Sequence, residues 1–226
     1  MAVLLPIATA MVCVISFVLF LRDTEQQSQD IHAAPAENNQ VPAIPTSVWV
    51  YSLICAALTV MIAVFFPRFY PSNSGWINIK RMSLLAIIWP IAYIDAKTYR
   101  IPNKFILLGL ICRGVILIFE IFMGHKEVWI TLLSEAIAAG ALLVASLLCV
   151  LVVKNGIGFG DMKLFAVMGL LLGTEGIWGA IFMALIVSFF IAVIALLTKK
   201  KTRKDAIPFG PAIVIGAYLS VCLSGM

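Results

Sequence analysis

Apolar runs occupy residues 1–21, 48–66, 82–96, 104–123, 130–153, 162–174, 177–197 and 206–224, and none of them alternates apolar with polar positions. A half-buried strand would alternate with period two, whereas a helix crossing a bilayer needs about 20 mostly apolar residues in succession. The pattern therefore predicts an all-α, polytopic membrane bundle of about eight transmembrane helices, six at the fewest, and not a β-barrel. Three segments are weaker than the rest. Residues 82–96 and 162–174 are short, and 164–197 is interrupted only by Gly173-Thr174-Glu175-Gly176, which leaves room for a re-entrant limb.

Composition agrees with the pattern. Of 226 residues 62% are hydrophobic and 12% charged, and the mean hydropathy of +1.07 lies far outside the range of soluble domains. The first run lacks a basic flank and a small-x-small cleavage site, so it is expected to stay as an uncleaved anchor, residues 1–21. It is followed by "RDTEQQSQDIHAAPAENNQVPAIPTS", residues 22–47, with three prolines and few large apolar side chains, a linker that cannot bury a core of its own. An additional helix and loop (48–81) and a larger membrane domain (82–226) complete the expected organisation. The five cysteines all lie in apolar runs without a CxxC pair and are expected to pack in the core. His32 and His125 stand far apart in the chain, so no metal site and no cofactor is expected. No nucleic-acid motif is present, and the lipid bilayer is the first partner.

Charge then sets an orientation. The cluster "KKKTRKD" (199–205) is placed in the cytoplasm by the positive-inside rule. Counting back through the spans puts 154–163, 95–104 and the linker on the same side, giving eleven basic residues inside against four outside (Arg68, Lys80, Arg81 and Lys126). The acidic residues of the linker and the basic 67–81 loop run against that trend.

With this topology two carboxylates meet the inner face at matching depth: Asp95 at the end of the third span, in "YIDAKTYRIPNK", and Asp161 at the start of the sixth, in "NGIGFGDMKL". Taken singly, Asp161 reads equally as an N-cap after glycines, and Asp95 as a solvated interfacial acid. Taken together they read as chemistry. Two carboxylates close enough to share a proton ionise in separate steps, leaving one as base and one as acid, the machinery that activates water against a peptide carbonyl. Gly156, Gly158 and Gly160 would let the backbone approach a neighbouring helix or an extended substrate, or simply form a turn.

"GFGDMK" resembles the GxGDxK motif of the prepilin peptidases, membrane aspartyl proteases that include the archaeal preflagellin peptidases. "DAKTYRIPN" is similar to that family's first aspartate with its IPN turn, and "IPFGPAIVIGA" (207–217) to its closing segment. The resemblance spans about 82–224. It implies an aspartic-type endopeptidase in the inner membrane of a bacterial or archaeal cell. Asp95 and Asp161 would be catalytic at the cytoplasmic face, supported by Gly158, Gly160, Lys163, Pro102 and Asn103. The implied substrates are prepilin-like proteins with a basic leader and a hydrophobic helix. Bifunctional members carry a cytoplasmic domain with cysteine pairs, associated with N-methylation. The cysteine-free linker here resembles the short, peptidase-only branch. Pilus, secretion and competence machineries are not distinguished, and no oligomeric state is implied.

Further charges lie inside the spans. Arg113 and Glu120 share a face two turns apart and Glu135 is in the next span, which predicts pairing across the bundle. Gly169 and Gly173 have the GxxxG spacing of close helix packing, and the tryptophans lie mostly near span ends, as belt residues do. The same carboxylates could instead serve a small proton- or cation-coupled transporter, whose site would lie near the bilayer midplane. An inactive scaffold is the remaining alternative.

Overall fold

The computed structural model describes residues 4–32, 46–70, 74–152, 158–198 and 207–224. Seven helices and no strand occur among them: α1 (Leu4–His32), α2 (Thr46–Phe69), α3 (Gly75–Thr98), α4 (Asn103–Phe122), α5 (Val128–Val152), α6 (Phe159–Leu197) and α7 (Gly210–Ser224). The first six are long and apolar enough to cross a bilayer, and α7 is a shorter apolar helix. The chain is thus a polytopic helical bundle. α1 runs on as helix to His32, through the first part of the polar stretch predicted as linker. Residues 33–45, the basic cluster 199–205, and Lys154 with Gly156 lie outside the described residues.

α6 is 39 residues long, about 58 Å at 1.5 Å per residue, twice what a membrane of about 30 Å needs. It does not run straight. Asp161 and Leu185 line one cavity, although a continuous helix would hold them about 36 Å apart. The reversal falls at Gly173, whose backbone (φ 66, ψ −176) lies in a region essentially reserved for glycine. The hydroxyl of Ser134 on α5 braces it, accepting the Thr174 backbone N–H at 3.2 Å and pairing with the Thr174 hydroxyl at 2.7 Å. Two antiparallel limbs result, so the apolar runs 162–174 and 177–197 belong to one helix folded back at Gly173.

α3 is the axis of the bundle, packed against α1, α2, α4, α6 and α7. Its buried face is continuous from Met82 to Ala92, including the fully enclosed Trp89. Pro90 interrupts its hydrogen-bond ladder. Two tyrosines donate to main-chain carbonyls that precede it: Tyr51 to Trp89 at 2.8 Å and Tyr218 to Leu85 at 3.2 Å. α1 covers the same helix through Phe20, whose ring meets Trp89 and Tyr93 edge-on at 5.3 and 5.4 Å.

Three expectations change. Lys80 and Arg81, placed in an outer loop by the charge pattern, lie inside α3 and are each 3% exposed, because the helix begins at Gly75. Of the cysteines only Cys13 is buried, while Cys149 and Cys222 face outward. In a bilayer the surroundings are as apolar as the core, so an apolar run does not reveal which residues face inward. Trp89 is a core residue and no belt residue, unlike the exposed Trp129 and Trp178.

Candidate active site

Asp95 lies three residues before the end of α3, and beyond it the chain makes a tight return. Tyr99 closes the helix in the left-handed conformation (φ 54, ψ 32), donating its N–H to the Asp95 carbonyl at 2.9 Å. A non-glycine residue there costs about 1–2 kcal/mol. Pro102 then stands as N-cap of α4, with φ −67 and no N–H of its own to satisfy. Asn103 opens α4. The IPN turn is therefore a device that sends the chain back beside Asp95.

Asp161 is held by a different element. α6 opens after Gly158, its N-cap, which makes no side-chain cap bond. Asp161 falls in the first turn, where an acid suits the positive end of the helix dipole. It is therefore not the N-cap that one reading of the sequence allowed. The start of α6 presses on the α3–α4 turn. A Cβ at Gly160 would lie 3.0 Å from the Ile101 Cβ, so a side chain there would push the two apart. Lys163 ties them together again, its Nζ donating to Asn103 Oδ1 at 3.0 Å.

α7 braces Asp95 from a third side. Its first residue, Gly210, donates its backbone N–H to Asp95 Oδ2 at 2.7 Å. This is one of the N-terminal amides that a helix cannot satisfy internally, and it meets an acceptor that suits the helix dipole. The approach is so close that a Cβ on Gly210 would lie 2.8 Å from both Cβ and Oδ2 of Asp95.

Between the α3–α4 turn and the start of α6 is a cavity of about 350 Å³ whose wall contains both Asp95 and Asp161. Gly158, Gly160, Asn103 and Lys163 line it too, together with Tyr99 and Arg100, whereas Pro102 shapes the turn without lining the cavity. Asp161 is also in the wall of a second cavity of about 330 Å³, formed largely by apolar side chains of α5, both limbs of α6, and Phe209. A polar chamber and an apolar one thus meet at a single carboxylate. Arg113 and Glu120 are far along α4 and take no part. Gly210 received no role from its sequence, although the Gly-Pro pair of "IPFGP" marked a helix start.

The sequence of residues 82–197 matches the type IV leader peptidase family. Among curated proteins, the prepilin leader peptidase/N-methyltransferase of Bacillus subtilis is 31% identical over 139 residues, 62% of this chain and 52% of that protein. Its counterpart from Neisseria gonorrhoeae is 29% identical over 146 residues, covering 64% and 49%. That from Aeromonas hydrophila is 25% identical over 150 residues, covering 65% and 50%. The chain therefore spans about half the length of the curated relatives it matches. No solved structure matches it significantly. Since the matched segment holds 116 of the 226 residues and both aspartates of the cavity, the chain belongs to the type IV leader peptidase family.

Proposed function

We propose that the protein is a membrane aspartyl endopeptidase that removes the leader peptide from type IV prepilin-like precursors at the cytoplasmic face. The observation that carries the reading is the pair Asp95 and Asp161 in one cavity at the ends of their helices. In the reaction one carboxylate takes a proton from water as its oxygen attacks the scissile carbonyl carbon. The other, protonated, gives its proton to the carbonyl oxygen. On collapse of the tetrahedral diol the first carboxyl gives the proton it took to the departing nitrogen as the C–N bond breaks, the second takes a proton from a diol hydroxyl, and both return to their starting states. Gly210 holds Asp95 by its 2.7 Å hydrogen bond while the proton moves. The two chambers suit a substrate whose polar leader gives way to a hydrophobic helix, the apolar segment resting against Phe165 and Ile181. The terminal position of both acids distinguishes this reading from a transporter, whose ion site belongs near the midplane.

The test is prepilin cleavage by the purified protein, with N-terminal sequencing of the product. Asp95→Asn and Asp161→Asn should each abolish cleavage, and the double variant should be hardly worse than either, because residues acting as a unit are non-additive. Substantial activity in either single variant, with the protein folded and inserted, would sink the mechanism.

A further inference from the structure

A ring of four charges closes inside the bundle, at the end away from the aspartates. Lys80 Nζ of α3 meets Glu135 Oε1 of α5 at 2.6 Å and Glu120 Oε1 of α4 at 3.3 Å. Arg113 of α4 meets the other oxygen of each acid, Glu120 Oε2 through Nη1 at 3.0 Å and Glu135 Oε2 through Nε. Signs alternate around the ring, its formal charge is zero, and no member's side chain is more than 6% exposed. Three helices are joined by it.

We infer that this ring is a register lock: Lys80, Arg113, Glu120 and Glu135 are positioning residues that fix α5, and with it the limb carrying Asp161, against α3, which carries Asp95. The inference rests on the proposed catalytic role of those two acids. α5 packs broadly on α6 and only sparsely on α4, with no comparable contact to α3. Its union with α6 is tight, since a Cβ on Gly169 would lie 2.7 Å from the Ala139 backbone nitrogen, so α5 and the first limb of α6 move as one. Lys80 stands 15 residues before Asp95 on a single helix, about 22 Å along the axis. A displacement of α5 along α3 at the ring would thus be carried to the cavity, where the Lys163–Asn103 bond and the Gly160–Ile101 contact would oppose it.

Apolar packing alone cannot prevent such a displacement well. Lipid chains are as apolar as leucine, so sliding one greasy surface along another costs little in a bilayer. Separating buried opposite charges costs far more, because each would be left uncompensated in a medium that cannot solvate it. Fixing register is also the best-attested use of buried polar groups, which apolar replacements can match in stability without matching in specificity.

That difference supplies the test. The variant Lys80→Met, Arg113→Leu, Glu120→Leu, Glu135→Leu replaces the whole ring by apolar side chains and leaves no orphan charge. Spin labels at Ala96→Cys and Val152→Cys, in a background without the five native cysteines, read the distance between the ends of α3 and α5 beside the cavity. The expected result is wild-type thermal stability in detergent with a broadened distance distribution. On prepilin, kcat should fall by about 10- to 100-fold, the range expected for an ångström-scale misplacement, with KM within about twofold. A wild-type distance distribution, or wild-type kcat, would overturn the inference and leave the ring a stabilising feature only. Should the fourfold variant not insert, Lys80→Met with Glu135→Gln keeps the neutral Arg113–Glu120 pair, and the same two readings decide. The distance needs no substrate. A wild-type protein that cleaves no prepilin therefore defeats the proposed function, while the ring is still judged by the labels.

Discussion

Gly210→Ala isolates one contact. The added methyl would have to displace Asp95, since it would lie 2.8 Å from that carboxylate, while the helix it opens has no reason to unwind. Cleavage should drop by about 10- to 100-fold with thermal stability changed by about 1 kcal/mol or less, as measured by kcat and unfolding in detergent. Gly140→Ala is the control. Nothing lies within 4 Å of the position its Cβ would take, so neither activity nor stability should fall. The contrast marks what a sequence can reveal at this scale. Asp95 and Asp161 could be singled out because a carboxylate in an apolar chain is conspicuous, and their motifs set Gly160 and Lys163 beside them. Gly210 was not legible as a site residue, because its contribution is a backbone N–H and the absence of a side chain, and neither has a residue-type signature. Arg113 with Glu120 and Glu135 could be paired from helical spacing. Lys80 could not, since a basic residue before an apolar run looks like a flank until the partners that bury it are known.

The hairpin in α6 gives the element-scale prediction. Gly173→Ala forces a Cβ into a conformation that costs about 1–3 kcal/mol, which thermal unfolding should detect. Straightening at that point would carry the second limb away from α7, so cleavage should fall together with stability. The apolar pattern revealed both limbs and the interruption, but a merely kinked helix and a full reversal share the same pattern. The reversal depends on Ser134 of a neighbouring helix, which a local reading does not include. α1 is the other element whose role was hidden. Its sequence reads as an anchor, yet Phe20 packs against the aromatic rings of α3 behind Asp95. Phe20→Ala removes a fully buried ring along with two edge-on aromatic pairs and should lower stability by about 3–5 kcal/mol, leaving KM little changed.

For the whole molecule, the orientation proposed from the charge asymmetry of the sequence has the α3–α4 turn and the start of α6 in the cytoplasm. Single cysteines at Ala96, beside the cavity, and Gly124, at the opposite end, should react with a membrane-impermeant reagent from inside and outside the cell respectively; the reverse labelling would invert the topology. Under the proposed function, with a cysteine-free linker as in a peptidase-only protein, the new N-terminus of a cleaved prepilin should be a free amine by mass spectrometry with S-adenosylmethionine present. The helices around the cavity also differ in length from their neighbours. The limb of α6 from Phe159 to Leu172 has 14 residues and α7 has 15, about 21 and 22 Å, whereas α3 with 24 residues reaches about 36 Å. Against a hydrocarbon layer of about 30 Å, both short pieces begin at the aspartates. Where the proposed cleavage takes place, the bilayer would have to pinch or water would have to descend to meet the acids. Hydrophobic mismatch of this kind costs fractions of a kcal/mol per ångström. Acyl-chain length would then control the proposed cleavage, which in reconstituted vesicles should be fastest in short-chain lipid and slow as the membrane thickens around an opening too shallow for it.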